Sequence, residues 1–174
     1  MKTLDAIFTR KTTRSYDGRQ IPERDLEIIL NAGCSAPIAL AKYDDIQITV
    51  VQNEKLLKSI FDKSTDILYK VYGMRKNQDF GSKTLVCVSQ LGTKPIGMEY
   101  ANAGFILENM VLAATSLGID SVVLGSAARA IDSDEELKKE LEIKTGYNVI
   151  LCASFGYATT KEEPKKHVIS INRL

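Results

Sequence analysis

Several features that would mark a particular class of protein are scarce or missing in this chain of 174 residues. A surplus of basic residues is absent, because 23 Lys and Arg against 22 Asp and Glu leave a formal net charge of +1. Nucleic acids and anionic membrane surfaces usually select a strongly basic face, so we expect neither as a partner. No secretory signal is recognisable near Met1, and we therefore expect a cytoplasmic protein.

Cysteine and histidine are too few and too scattered to indicate metal or nucleophilic chemistry. Cys34, Cys87 and Cys152 are odd in number and lack metal-type spacing, and two of them fall within apolar strand candidates. The single histidine, His167, has no neighbouring carboxylate or nucleophile in the sequence. We therefore expect reduced core thiols without a catalytic role, and no metal site.

Glycine-rich phosphate loops and membrane spans are also missing. No G-x-G-x-x-G follows a strand candidate, and residues 81–84, GSKT, lack the leading glycine of a P-loop and precede a strand. The longest apolar stretch is interrupted by Asn102, Glu108 and Asn109, and it is shorter than the roughly 20 residues that a membrane span requires. Rossmann, P-loop and transmembrane classes are thereby excluded.

The most informative segment that is present covers residues 97–125, GMEYANAGFILENMVLAATSLGIDSVVLG. Apolar and small residues there surround most of a helix, which predicts a long buried helix whose exposed side is covered by a second subunit. Gly118 is expected to end this helix in a left-handed conformation. A short strand then leads to Gly125, where the backbone can approach a ligand closely.

The rest of the chain alternates between helix and strand candidates. Helices are predicted at 3–8, 22–36, 53–72 and 135–141, with N-caps at Thr3, Asn53 and Asp132. Strands are predicted at 46–51, 84–88, 121–124 and 149–155, with a short edge strand at 168–171. Residues 73–83 are interpreted as a polar, mobile connection. This order predicts an α+β fold, an α/β sandwich in one domain spanning residues 1–174.

Two basic clusters stand near opposite ends of the chain. The first is RKTTR at residues 10–14, and the second is KKH at residues 165–167. Lysine, arginine and hydroxyl groups can clamp a phosphate through charge-assisted hydrogen bonds. Charge alone favours the plainer interpretation, a solvated helix end, for either cluster.

Read in order, these segments resemble the FMN-dependent nitroreductase family along nearly the whole chain. The family opens with a short helix followed by a basic and hydroxyl motif that holds the flavin phosphate and ribityl chain. Helix and strand within residues 97–125 are similar to the family's dimer-core helix and to the strand that ends beside the isoalloxazine ring. The strand closing at Phe155-Gly156-Tyr157 and the basic residues after it complete the resemblance.

The resemblance implies a nitroreductase-like fold, with a central mixed sheet of about four to five strands flanked by helices, and FMN as the cofactor. It implies that the ring lies beside residues 123–126, with a backbone amide of residue 125 or 126 facing the flavin N5. Residues 168–171 would pair with the sheet of a partner subunit. The cofactor-binding residues implied are Arg10, Lys11, Thr12, Arg14, Val123, Gly125, Ser126, Lys165 and His167.

Two departures from the family pattern bear on function. After Pro37 the family usually has Ser, then Asn and Gln-Pro, but this chain reads IALAKYDD at residues 38–45. Side chains that would bond the ribityl and pyrimidine groups are therefore missing. His167 also stands where the family usually has arginine, which changes a bidentate phosphate contact into a weaker one.

The function implied is an FMN-dependent oxidoreductase that takes hydride from NAD(P)H and passes electrons to a small oxidised acceptor such as a nitroaromatic or a quinone. The protein would be a cytoplasmic homodimer, and no catalytic side chain is assigned because the flavin carries the chemistry. One alternative is a flavin-binding or flavin-sensing dimer without efficient turnover. A further alternative is a scaffold without cofactor, in which residues 10–14 form a solvated turn.

Overall fold

The computed structural model describes residues 1–74, 76–92, 97–160, 163–164 and 167–174. Within these ranges the chain forms six α-helices and four β-strands. In chain order they are α1 Thr3–Thr9, α2 Glu23–Cys34, β1 Ile46–Val51, α3 Glu54–Tyr72, β2 Thr84–Leu91, α4 Met98–Ser116, β3 Asp120–Leu124, α5 Gly125–Asp132, α6 Glu135–Glu140 and β4 Tyr147–Gly156.

The four strands form one antiparallel sheet in the order β1-β2-β4-β3. β2 is buried on both faces, with Val86 and Val88 on one side and Leu85 and Cys87 on the other. A parallel bridge between Thr12 and Ser121 adds the amino-terminal segment to the β3 edge. The predicted fold class, an α+β sandwich with a nitroreductase-like fold, is confirmed. The resemblance implies a mixed sheet, but the four described strands are all antiparallel, and the parallel pairing is the isolated Thr12 bridge.

Helices cover both faces of the sheet. Helices α2 and α4 pack together over the Val86 and Val88 face, and α3, α5 and α6 cover the face of Leu85 and Cys87. Large side chains such as Met110 on α4 and Ile60 on α3 are fully buried, which stabilises each layer through apolar burial. One apolar core therefore lies on each side of the sheet, and the side chains of β2 contribute to both.

The predicted central helix is present as α4, and it is buried on the side that faces the sheet. Its other flank leaves Tyr100 57% and Phe105 49% exposed. Gly118 follows the helix with a φ of 76°, as predicted. The exposed flank is the side for which the sequence predicts a second subunit.

The N-caps predicted at Thr3 and Asp132 are wrong, whereas the one at Asn53 is confirmed. Asn53 Oδ1 accepts hydrogen bonds from the backbone N–H of residues 55 and 56 at 3.0 and 3.2 Å. The N-cap of α1 is Lys2. Asp134, which follows Asp132 by two residues, caps α6 by accepting from the Leu137 N–H at 3.0 Å. The sequence offers two aspartates there, and local pattern cannot choose between them.

The edge strand predicted at 168–171 is not formed within this chain. Residues 167–174 are described without strand or helix, and the side chains of Val168 and Ile169 are 98% and 82% exposed. An extended segment needs a neighbouring strand to complete its backbone hydrogen bonds.

No helix in the described part of the chain is both long and apolar enough to cross a bilayer.

Candidate functional site

The segment that follows α1 is fixed along the edge strand β3. Thr13 N–H donates to Ser121 O at 3.0 Å. Further along, Tyr16 N–H donates to Phe80 O at 2.8 Å, and Tyr16 pairs with Ala158 just after β4. The first basic cluster is therefore held on the sheet edge by backbone hydrogen bonds, not left on a free helix end.

A cavity of about 180 Å³ opens along this segment. Its lining carries two cationic side chains and four hydroxyls, from Lys11, Thr12, Thr13, Arg14, Ser15 and Thr160. No carboxylate from the described residues lines it. A donor set of cations and hydroxyls fits an anion with several acceptor oxygens, and a phosphate group has that chemistry.

The two cations of this cavity differ in their partners. Lys11 Nζ lies 3.5 Å from Asp120 Oδ1, which also accepts from the Thr13 hydroxyl at 3.2 Å. Arg14 forms no ion pair with any carboxylate in the part of the chain that the structure describes. The Arg14 guanidinium is therefore available to a ligand, while Lys11 is shared with Asp120.

Tyr16, two residues after Arg14, is excluded from acid–base chemistry by its surroundings. Burial raises the pKa of its phenol far above the ordinary range, the Asp120 carboxylate raises it further, and Arg14 opposes the rise. The buried Tyr16 hydroxyl has no hydrogen-bond partner among the described residues. Tyr16 therefore stays neutral and acts as a packing residue.

The far end of β3 presents a different surface. Val123 is 46% exposed, although Val122 and Leu124 on either side of it are buried. Helix α5 begins at Gly125 without a side-chain cap, and a Cβ placed on Gly125 would meet no atom within 4 Å. The first backbone N–H groups of a helix have no partner within it, so they can donate to a ligand. An apolar surface and open backbone donors therefore lie side by side.

Ser126, the second residue of α5, is held by a buried polar network. The Ser64 hydroxyl on α3 donates to Ser126 Oγ at 2.8 Å, and the Ser126 hydroxyl donates to Gln78 Oε1 at 3.3 Å. The Gln78 amide nitrogen in turn donates to Lys76 O at 3.2 Å. Ser64 and Gln78 are 0% and 6% exposed. The start of α5 is thus joined to α3 and to the segment before β2.

This network attaches residues 78 and 80, within the segment interpreted as a mobile connection, to the rest of the fold. Gln78 is buried within that segment, and its N–H donates to Thr65 Oγ1 at 3.1 Å. Phe80 O is bonded to Tyr16, as described above. Sequence reasoning missed both residues. Ser64 is a polar residue on the buried face of an amphipathic helix, and Gln78 lies in a polar segment, so neither shows its partner in the sequence.

The structure gathers six of the predicted site residues into two groups and leaves two of the described ones outside them. Lys11, Thr12 and Arg14 line the cavity, and Val123, Gly125 and Ser126 stand together at the end of β3. Arg10 lies at the end of α1, where its N–H donates to Ala6 O at 2.9 Å, and it does not line the cavity. His167 is exposed and is also absent from the described lining. Lys165 lies outside the described residues.

The sequence model of the Nitroreductase family matches residues 7–157 of this chain. The match covers well over half of the sequence, including both groups of site residues. The chain therefore belongs to the nitroreductase family, whose members are oxidoreductases.

Individual relatives agree with this assignment. A protein of Archaeoglobus fulgidus, named as a candidate NADH dehydrogenase/NAD(P)H nitroreductase, is 29% identical over 160 residues, which cover 92% of this chain and 87% of that protein. A nitroreductase with bound FMN from Desulfitobacterium hafniense has a similar structure, with a TM-score of 0.85, 25% identity, and coverage of 100% of this chain and 99% of that one. A nitroreductase with bound FMN from Bacteroides fragilis gives a TM-score of 0.81 at 27% identity, over 99% and 100% of the two chains.

Proposed function

We propose that this protein is an FMN-dependent oxidoreductase that takes hydride from NAD(P)H and reduces a small oxidised acceptor such as a nitroaromatic or a quinone. The observation that carries the proposal is the pairing of two surfaces along β3. A cavity lined by cations and hydroxyls lies beside Asp120, and the exposed side chain of Val123 lies with the first backbone N–H groups of α5 at the other end of the strand. Four residue steps of a strand separate them, or about 13 Å.

The residues present suit FMN at both surfaces. Arg14 and Lys11, with the Thr12 hydroxyl, bind the phosphate in the cavity of about 180 Å³. Val123 offers its exposed side chain to the apolar ring, and the N–H groups of Gly125 and Ser126 donate to its polar edge. We propose that Lys165 and His167, from the second basic cluster, approach the same phosphate.

Bound FMN supplies two-electron transfer between a nicotinamide and an acceptor. The protein's own residues bind and orient the FMN. The Ser64 and Gln78 contacts fix Ser126, and the bridge from Thr12 to Ser121 fixes the phosphate cavity to the same strand. No side chain is assigned as general acid or base.

We further propose a homodimer that buries the exposed flank of α4. Phe8 on α1 is 71% exposed, and Phe105 on α4 is about half exposed. Apolar surface of this kind usually marks an interface. The tail at 168–171 is proposed to complete the partner's sheet, and residues 1–174 to form one flavin-binding domain. A cytoplasmic location stays a prediction from sequence.

The dimer is tested by light scattering at micromolar concentration, which should give twice the chain mass of 19.2 kDa. Removing residues 168–174 should weaken the dimer without unfolding the chain. A stable monomer in the full-length protein would contradict the proposal.

The catalytic part is tested by adding NADH or NADPH to the FMN-loaded protein without oxygen. Rapid bleaching of the flavin absorption, restored by a nitroaromatic or a quinone, is the expected outcome. Tight FMN binding without bleaching would select the flavin-binding dimer without turnover. A colourless protein that ignores FMN would select the scaffold without cofactor.

A further inference from the structure

A groove of about 530 Å³ lies just beyond the end of β3. It exists because β3 pairs only with the 152–156 half of β4, so the first half of β4 extends past it. Gly125 forms part of the groove wall, and Asn148 and Ile150 of β4 form another part. The groove therefore adjoins the surface on which the proposed function places the flavin ring.

Apolar side chains make up much of the groove wall. Helix α3 contributes Ile67 and Val71, one turn apart, and α4 contributes Tyr100. Val71 and Tyr100 are 51% and 57% exposed within this chain. Large apolar side chains that converge on a groove of this size suit a flat, apolar molecule.

One cationic side chain among the described lining residues is available to a ligand. Arg129 stands one turn after Gly125 on the same face of α5, and no described carboxylate forms an ion pair with it. Asp132, a carboxylate that also lines the groove, is already engaged. Its Oδ1 accepts from the Val149 N–H at 2.8 Å and lies 3.9 Å from Lys138 Nζ. The groove therefore contains the Arg129 guanidinium, which has no ion-pair partner among the described residues, and the Asp132 carboxylate, which already has partners.

We propose that this groove is the acceptor site and that it selects planar aromatic acceptors carrying a carboxylate or sulfonate group, with Arg129 as the anion-binding residue. A guanidinium forms two parallel hydrogen bonds with a carboxylate, which fixes orientation as well as position. The aromatic ring packs between Tyr100 and Val71, towards Gly125. That the bound molecule is reduced rests on the proposed function, whereas its binding does not.

The probe for turnover is 4-nitrobenzoate, with 4-nitrobenzyl alcohol as a neutral compound of similar shape. Reduction of the nitro group to a nitroso group consumes one NAD(P)H and one proton and releases one water, and the carboxylate is unchanged. The two compounds differ in charge at the end away from the reacting group. A difference between them therefore reports on Arg129.

The first test measures binding without turnover. Benzoate, which has no nitro group to reduce, and benzyl alcohol are titrated calorimetrically into the protein as purified. Arg129→Ala should weaken benzoate about ten- to a hundredfold and change benzyl alcohol less than twofold. Arg129→Lys should recover part of the benzoate affinity. Arg24→Ala, which removes an exposed arginine on α2, should leave both affinities unchanged.

The second test measures kcat/KM for the two nitro compounds with FMN-loaded protein. Arg129→Ala should lower the value for 4-nitrobenzoate about tenfold or more, mainly through KM, and spare 4-nitrobenzyl alcohol. Equal losses for both compounds, or no loss for either, would overturn the assignment of Arg129.

The two tests separate this inference from the proposed function. If the parent protein binds benzoate through Arg129 but reduces no acceptor, the groove is confirmed as an anion site and the proposed oxidoreductase activity fails. If the protein reduces both nitro compounds and Arg129→Ala affects neither, the proposed function stands and the groove assignment is wrong.

Discussion

The Ser64 hydroxyl on α3 lies 2.8 Å from the Ser126 hydroxyl at the start of α5. The Ser126 hydroxyl in turn donates a hydrogen bond to Gln78 Oε1. Helices α3 and α5 and the segment before β2 are therefore joined at one buried point. Buried polar groups of this kind are costly to leave without partners. The position of the Gly125 and Ser126 backbone therefore depends on Ser64 and Gln78, neither of which contacts the flavin in the proposed function.

Replacing Gln78 should weaken the contact between the start of α5 and the segment before β2. Gln78→Ala leaves the Ser126 hydroxyl without its acceptor, and we expect a loss of about 1–3 kcal/mol in the free energy of unfolding. FMN should bind more weakly, because the start of α5 is less well fixed. Urea unfolding and flavin titration measure the two effects. Arg24→Ala, which removes an exposed arginine on α2, is the control and should change the unfolding free energy by less than about 0.5 kcal/mol.

Arg14 should be the main phosphate ligand among the described residues. A hydrogen bond to a charged group contributes roughly 1.5–3 kcal/mol, so Arg14→Ala should weaken FMN binding about ten- to a hundred-and-fiftyfold. Riboflavin, which lacks the phosphate, should bind the variant and the parent alike. Arg24→Ala serves as the control for loss of a surface arginine. Parallel losses for FMN and riboflavin would show that Arg14 does not bind the phosphate.

Contact between α2 and α4 depends on the absence of a side chain at Gly33. A Cβ placed there would lie 2.8 Å from Met110 Cγ and 3.2 Å from Met110 Sδ, and Met110 is fully buried. Gly33→Ala should therefore cost about 1–3 kcal/mol of unfolding free energy through overpacking. In a Met110→Ala background the same change should cost less or become favourable, because the methyl group fills vacated space. Additive losses in thermal or urea unfolding would contradict this contact.

The cysteines should differ sharply in reactivity. Cys34 is exposed, which corrects the expectation that it is a core thiol, whereas Cys87 and Cys152 are buried opposite each other in the sheet. Burial raises the pKa of the Cys152 thiol well above its usual value, and the adjacent Cys87 raises it further. Cys152 therefore stays a neutral thiol at pH 8, where reagents attack thiolates.

A disulfide reagent such as Ellman's should accordingly modify one thiol per native chain quickly, and all three of the cysteines only after unfolding. The Cys34→Ser variant should lose the fast phase and keep its flavin and its turnover. Rapid modification of a second thiol in the native protein, or loss of turnover in a folded, flavin-loaded Cys34→Ser variant, would show that this description of the thiols is wrong.

The parts of the fold that sequence could predict are those with a strong local pattern. The strand at 46–51 and the helix from Asn53 to Tyr72 have the predicted bounds, because β-branched runs and helical spacing are unambiguous there. Helix α5 was missed, although Ala127, Ala128 and Ile131 have helical spacing. A segment of this length that begins with glycine has no strong local signal for a helix.

Sheet order and the polar network could not be predicted, because both depend on contacts distant in sequence. Nothing local shows that β4 lies between β2 and β3. Ser64 lies on the buried face of an amphipathic helix, where a polar residue is unexpected unless its partner is known. The cationic cavity could be predicted in part, since Lys11 and Arg14 lie three residues apart in one basic cluster, but the contribution of Thr160 comes from the fold.

The most direct measurement is the visible absorption of the purified protein, after saturation with FMN and removal of the unbound excess, before and after NADH or NADPH is added without oxygen. We expect each chain to retain one FMN, with absorption bands near those of the free flavin. These bands should bleach within seconds of adding the nicotinamide and should return when a nitroaromatic is supplied. A protein that retains no FMN, or whose bound FMN never bleaches with either nicotinamide, would contradict the proposed oxidoreductase.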